Sequence, residues 1–427
     1  MNSPVLTCAP VRKPVAVRRG TIFAASIGNA LEWFDIVVYG YFAISIAKAF
    51  FPTDSEASSM LIGFGTFGIS YLSRPLGALV IGAYADRAGR KKAMLVSISL
   101  MMVGTLTIAV MPSYASIGLW APVGIILARL VQGFSAGGEF GSSTALLVEN
   151  DPTRRGFMAS FQFASQGLMT LTASLFGLVL TTTLTSSQLD SWGWRIPFFF
   201  GLLIGPVGLY IRRHIDEGME FKAAKSTQSP LRELVLNHKK NIAMATGTLI
   251  VSTAAGHTIS FMPVYAMNQF HLPMSVGFSS TLIAGFVLTF ATPFVGHFSD
   301  KFGRTKFMVA AAFAYALTVM PAFMLLGKWP SVAMLMGVMF WLALLKALYF
   351  GALPALMAEA FPPTTRATGM SLSYNIGTIV FGGFTPFFIT GITLYTSSSL
   401  APAMYLIPCA LLSLTAIREL RVRLNLR

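Results

Sequence analysis

The chain has 427 residues, of which 54% are hydrophobic and only 11% charged, and its mean hydropathy is +0.67. Soluble domains are about 25% charged, so a soluble enzyme is excluded and the bilayer is the solvent. The net charge of +15 does not mark a nucleic-acid binder, because the basic residues fall in every second connection and form no single patch.

Apolar windows recur from end to end, at 20–50, 57–84, 92–112, 118–147, 156–183, 192–213, 241–268, 275–299, 306–326, 331–358, 367–394 and 400–418. Each is about 20 residues or longer, enough for a helix to cross roughly 30 Å of hydrocarbon. Barrel strands fail on length, since they are about ten residues with alternating polarity. The first window follows a tail bearing Arg12, Lys13, Arg18 and Arg19, contains Glu32 and Asp35, and lacks a small-residue cleavage site. It reads as a retained first helix, not a signal peptide.

Lys and Arg gather in the N-terminal tail and at 87–92, 154–155, 212–240, 301–306, 366 and 418–427. The intervening connections at 51–59, 112–117, 184–194, 268–275, 327–331 and 395–400 are nearly free of them, Arg195 and Lys328 being the nearby exceptions. Both termini are therefore expected in the cytoplasm of a multi-pass protein of the bacterial inner membrane. Cys8 and Cys409 lie where pairing is difficult, so no disulfide framework is implied.

The long polar stretch between the sixth and seventh windows divides the chain. We read a six-helix bundle over 1–213, a cytoplasmic linker over 214–240 and a second six-helix bundle over 241–427, an all-α membrane protein of twelve transmembrane helices with pseudo-symmetric halves. Two internal repeats support duplication. GAYADRAGRKK and GHFSDKFGRTK share the pattern G-x-x-x-D-[RK]-x-G-R-x-K and begin at Gly82 and Gly296, 214 residues apart. GSSTALLVE and GALPALMAE begin at Gly141 and Gly351, 210 apart. Such matched offsets are expected of transporters built from repeated halves.

The first repeat forms the basic connection between helices two and three of each half. Gly89 and Gly303 supply tight turns. Asp86 or Asp300 can accept from a neighbouring helix N-terminus, and Arg90 or Arg304 can pair with Glu149 or Glu359. With Arg87 these residues make a candidate cytoplasmic gate; the alternative is that basic loops only fix topology.

The loop pattern resembles the signature of the major facilitator superfamily. More narrowly the chain resembles the metabolite:proton symporter family, through GNALEWFD (28–35), SRPLGALVIGAYADRAGRKK (73–92), RLVQGFSAGGEFGSS (129–143), RRGFMASFQ (154–162) and WGWRIPF (192–198). Within it, RLVQGFSAGGE and FGGFTP are similar to the citrate and tricarballylate carriers. Phe34-Asp35-Ile36 departs from the Tyr-Asp-Phe often found there, and Lys346 is not a feature of the citrate carriers. The resemblance implies the twelve-helix fold and proton-coupled import by alternating access.

Charged residues fall near the middle of the windows: Glu32, Asp35, Arg74, Arg129, Glu139 and Lys346. Each costs about 2.5–3.5 kcal/mol to insert at the bilayer centre, so they are expected to face a shared cavity. Glu32 and Asp35, spaced i, i+3, share a helical face with Tyr39. Asp35 is the first candidate for proton coupling, unless these acids are permanently paired to Arg129 or Arg74. Glu139 is a second proton site or a buried strut, and His257 titrates in a useful range or is a packing residue. Arg129, Gln132 and Gly133 form an R-x-x-Q-G motif whose guanidinium suits carboxylates. Arg74, Lys346, Tyr39 and Tyr349 complete the candidate substrate site. Three cations favour a polycarboxylate; full neutralisation by the three acids would instead suit a zwitterion. Pro206, Pro263, Pro293, Pro354 and Pro386 are expected at kinks.

The reading is a proton-coupled symporter of a tri- or dicarboxylate such as citrate or tricarballylate. The alternatives are 2-oxoglutarate, shikimate or another aromatic acid, a compatible solute such as betaine or proline, or an uncoupled facilitator. No nucleotide-binding loop or metal-ligand spacing occurs in the sequence, so neither an enzyme nor any cofactor or metal beyond the coupling proton is expected. The partners expected are a small organic anion, protons and membrane lipid, without nucleic acid and with the monomer as the working unit.

Overall fold

A computed structural model describes residues 19–53, 55–88, 90–151, 153–213, 234, 236–362 and 365–424. Gly89, Cys8 and residues 214–233 lie outside the described residues, as do the side chains of Asp86, Arg87 and Arg90 and the surroundings of Gly82.

Every regular element among the described residues is helical. In the first half they are α1 (Arg19–Tyr41), α2 (Ala43–Phe50), α3 (Glu56–Leu72), α4 (Arg74–Ala88), α5 (Arg90–Val110), α6 (Tyr114–Ile117), α7 (Trp120–Ala136), α8 (Glu139–Asn150), α9 (Arg155–Thr183), α10 (Ser186–Ser191) and α11 (Ile196–Arg213). In the second half they are α12 (Lys239–Phe270), α13 (Met274–Phe302), α14 (Arg304–Lys328), α15 (Val332–Phe350), α16 (Leu353–Glu359), α17 (Arg366–Thr378), α18 (Thr385–Thr396) and α19 (Ala401–Leu424). Each predicted window corresponds to one long helix or to two consecutive shorter ones. Among the described residues seven spans are long and apolar enough to cross a membrane, and α1 with α2, bent by 69°, makes an eighth.

The breaks have local causes. Pro75 cannot donate to the carbonyl of Tyr71, and the chain turns at Ser73 between α3 and α4. Gly137 and Gly138 separate α7 from α8. The freed backbone groups there are satisfied from the other half: Asn375 Nδ2 donates to Gly137 O (2.7 Å), and Gly141 N donates to Ser371 Oγ (3.1 Å). Within a bilayer such groups need protein partners, so α17 completes the broken helix. Pro354 and Pro386 open α16 and α18, just after breaks, whereas Pro206, Pro263 and Pro293 lie inside continuous helices.

The repeats recur in packing. Phe140 stacks on Tyr374 with ring centroids 3.8 Å apart and planes 10° apart. Phe163 stacks on Phe350 at 3.8 Å and 9°. Phe140 and Phe350 are 210 residues apart, and Phe163 and Tyr374 are 211 apart, so these are two copies of one contact, each crossing between halves. At the basic-loop end, α9 and α13 approach so closely that a Cβ on Gly156 would lie 2.6 Å from Gly296 O. Gly303, with φ 98°, makes the turn into α14 in a region L side chains avoid.

Candidate functional site

Two faces of α1 carry the site. Asn29 and Trp33, spaced i, i+4, face α9: Asn29 Nδ2 donates to Gln162 O (2.7 Å), and Trp33 Nε1 to Thr170 Oγ1 (2.9 Å). Glu32 and Asp35 face α4, α5 and α7. Glu32 forms a buried ion pair with Arg74 Nη2 at 2.6 Å. The Arg74 guanidinium also lies 4.2 Å from the centroid of the Tyr71 ring. Asp35 accepts hydrogen bonds from the Thr105 hydroxyl and from Gln132 Nε2 (3.2 Å). Gln132 in turn accepts from Arg129 Nη1 at 3.0 Å. Its amide therefore separates Arg129 from Asp35 while bonding both.

Arg129 is held further by Phe67 O and Ser70 Oγ, both at 2.9 Å, and its guanidinium lies 4.2 Å from the Tyr39 ring centroid. The Tyr39 hydroxyl bonds Thr66 Oγ1 at 3.1 Å. Glu32, Asp35, Arg74, Arg129, Gln132 and Gly133 line one cavity with Ser70 and Met101, and every lining residue belongs to the first half. A second cavity, of 20 Å3, is lined by Asp35, Ser97, Met101, Thr105, Ser135, Glu139 and neighbours of α11.

The expected shared cavity is thus corrected for Lys346. The acids and arginines gather inside the first half, because α1, α3, α4, α5 and α7 pack around them, and Lys346 does not line their cavity. Lys346 is 2% exposed and reaches across the junction of the halves, 5.4 Å from the Trp33 ring centroid and 4.6 Å from that of Phe350. Its ammonium lies against Gly256, where a Cβ would fall 2.5 Å from Nζ. No carboxylate lies within ion-pair distance of it among the described residues.

His257 is the second crossing point. Its Nδ1 donates to Thr253 O (2.9 Å), since a carbonyl can only accept, and a neutral ring then accepts from the Tyr71 hydroxyl at Nε2 (2.7 Å). Trp33 meets the same ring edge-on at 5.4 Å. Tyr349 is a correction: its hydroxyl donates to Thr248 O (2.6 Å), about 12 Å along α12 from Gly256. It does not join Lys346, because its position one turn on turns it into the packing of α15 on α12.

Glu139 begins α8 and accepts from Ser97 Oγ at 3.4 Å. At the basic-loop end, Asp300 accepts from the first N–H groups of α9, those of Gly156 (2.8 Å) and Phe157 (3.0 Å), a favourable place for an anion. Arg304 pairs with Asp300 (3.2 Å) and with Glu359, so it stays within its own half. Glu149 faces Arg366 of the other half at 3.8 Å, a partner the repeat pattern did not name.

Trp33, Tyr71, Thr105 and Thr170 were missed from sequence because none carries a charge. Trp33 had a legible signal, its i, i+4 spacing from Asn29 within GNALEWFD; Thr105 had none. Cys409 is buried and unpaired.

Residues 21–218 match the family model described as Sugar (and other) transporter, and residues 244–423 that of the Major Facilitator Superfamily. The chain is 37% identical to a citrate-proton symporter of Klebsiella pneumoniae, over 96% of this chain and 94% of that one. It is 31% identical to a proline/betaine transporter of Salmonella typhimurium, over 93% of this chain and 82% of that one. The xylose transporter XylE from E. coli, in a partially occluded inward-open conformation, superposes with a TM-score of 0.75 at 16% identity, covering 93% and 96% of the two chains.

Proposed function

The chain belongs to the major facilitator superfamily, and within it we propose that it is a proton-coupled symporter that imports a tri- or dicarboxylate such as citrate. The observation that carries this reading is Lys346. Arg74 is neutralised by Glu32 in a buried pair, and Arg129 is bonded to Gln132, Phe67 and Ser70. Lys346 alone of the three cations has neither an ion-pair nor a hydrogen-bond partner among the described residues, its ammonium lying beside the Trp33 and Phe350 rings and against Gly256. A buried charge without a counter-ion is costly, and an anionic substrate entering between the halves would supply one. The likeness to a citrate-proton symporter supports the same class.

Asp35 is the coupling carboxylate in this reading. It is 4% exposed, bonded by neutral donors, and one amide removed from Arg129. Arg129 and Gln132 hold Asp35, with Tyr39 beneath the guanidinium, and the anion is bound chiefly by Lys346 beside Trp33. The Asp300 cap on α9 and the Glu149–Arg366 pair form latches at the cytoplasmic face, opening as the halves rock. The protein works as a monomer in the bacterial inner membrane with both termini in the cytoplasm, following the charge of its loops.

The test is uptake in a strain lacking its own carriers, with citrate, tricarballylate, 2-oxoglutarate, shikimate and betaine compared. Citrate or tricarballylate uptake is expected, and Lys346→Ala should weaken the half-saturation concentration by about 10- to 100-fold, the loss of one hydrogen-bonded charge contact. Uptake of betaine in place of the acids, or unchanged affinity in Lys346→Ala, would overturn the reading.

A further inference from the structure

Resting on Asp35 as the coupling carboxylate, we propose that the proton has a route of its own inside the first half, from Asp35 to Glu139 through the hydroxyls of Ser135 and Ser97. The anion moves between the halves, beside Lys346, and the two paths meet only at α1.

Three observations carry this. First, Asp35 and Glu139 line the same cavity, bordered by α1, α5, α7, α8 and α11, and among the described residues none of the second half lines it. Its 20 Å3 accommodates about one or two water molecules and no organic anion. Second, Gln132, Ser135 and Glu139 all meet α5, the first at Thr105 and the other two at Ser97. Asp35 is bonded to Gln132 and Thr105 where these two meet. Thr105 and Ser97 stand about 12 Å apart along α5, so the step from Asp35 to Ser135 runs through water held in the cavity that both line.

Third, Ser97 has one hydroxyl proton and three acceptors around it: Ser135 O (2.7 Å), Ser135 Oγ (3.2 Å) and Glu139 Oε2 (3.4 Å). Ser135 Oγ can donate to Ser97 O at 2.5 Å. Each hydroxyl can therefore turn between partners. A bond that a rotating hydroxyl can break and remake is what a relay needs.

The proton balance is closed. The proton leaves the Asp35 carboxyl, the water in the cavity takes it and gives up another to Ser135, Ser135 passes its own to Ser97, and Ser97 protonates Glu139. Each hydroxyl ends neutral, and the net change is one proton moved between two carboxylates. Gln132 keeps both amide protons and only positions Asp35. The charged groups bordering the route are Arg129 on α7, Arg74 on α4 and Glu32 on α1, all around the cavity that shares Asp35. Those of α5 and α11 that line it are uncharged: a serine, a threonine, two glycines and apolar side chains. Among the described residues, Arg129 and the neutralised Glu32–Arg74 pair thus act on the proton from its flanks.

The experiment uses the full chain in proteoliposomes, with labelled citrate and an entrapped pH dye. A symporter exchanges labelled for unlabelled citrate without releasing its proton, so exchange does not need the relay, whereas gradient-driven accumulation does. In Glu139→Gln and in Ser97→Ala/Ser135→Ala, accumulation and citrate-dependent proton entry are expected to fall about 100-fold or more while exchange is retained. Ser97→Thr, which keeps the hydroxyl, should recover most of the rate. Wild-type accumulation in the double serine variant, or parallel loss of accumulation and exchange, overturns the route. Citrate movement by the unaltered protein with no proton entry overturns the coupling reading beneath it, and that result is read before any variant is made.

Discussion

The first half of the chain buries Glu32, Asp35, Arg74, Arg129 and Glu139, whereas the second buries Lys346 and, at its basic-loop end, Arg366. Yet both halves break the corresponding helix, at Gly137–Gly138 and at Gly351–Ala352, and both contribute one partner to each of two matching aromatic stacks. The scaffold is symmetric and the chemistry is not. Duplicated packing is retained because both copies must close the same junction. The charges are free to diverge, since a coupled carrier needs one place to hold a proton and another to hold its anion.

The comparison breaks most completely at Asp35. Asp35→Asn keeps the acceptor that Thr105 and Gln132 address but cannot cycle a proton. Accumulation against a gradient should vanish while citrate exchange persists. A variant that still concentrates citrate with the wild-type pH profile would move the coupling proton elsewhere, and with it the division between halves.

Next comes the Glu32–Arg74 pair, which the second half does not copy. Arg74→Met leaves Glu32 buried without its counter-charge and should cost about 3–5 kcal/mol of stability, with most of it regained in Glu32→Leu/Arg74→Met. Thermal unfolding in detergent, followed by tryptophan fluorescence, reads both. If the double variant is no more stable than the single one, the pair does more than neutralise itself.

The smallest effect is the sharpest test of symmetry. Phe140→Leu and Phe350→Leu each remove one stack, worth about 0.5–1.5 kcal/mol beyond lost area. Equal shifts are expected in unfolding temperature and in exchange rate. A large difference between them would mean that the two stacks, alike in geometry, bear unequal loads in the transport cycle.

Much of this was legible beforehand, for identifiable reasons. A helix in lipid satisfies its own backbone hydrogen bonds, so apolar length alone located the helical windows. The repeat of Gly82 at Gly296 and of Gly141 at Gly351 disclosed the duplication, and at Gly141, Gly296 and Gly351 the packing leaves no room for a side chain. Asp35, Arg129 and Lys346 stood out because a charge in an apolar window is costly wherever it ends up.

Partnership was not legible. Glu32 and Arg74 are separated by 42 residues, and Tyr71 and His257 by 186; such pairs exist only once α1, α3, α4 and α12 have taken their places. The sequence therefore determined the inventory, namely membrane helices, two similar halves and a short roll of buried charges, because these depend on local hydropathy and spacing. Tertiary packing alone decided that Arg74 is neutralised, that Arg129 reaches Asp35 through an amide, and that Lys346 faces tryptophan instead of a carboxylate. Coulomb and hydrogen-bond energies depend on distances that only the assembled helices set.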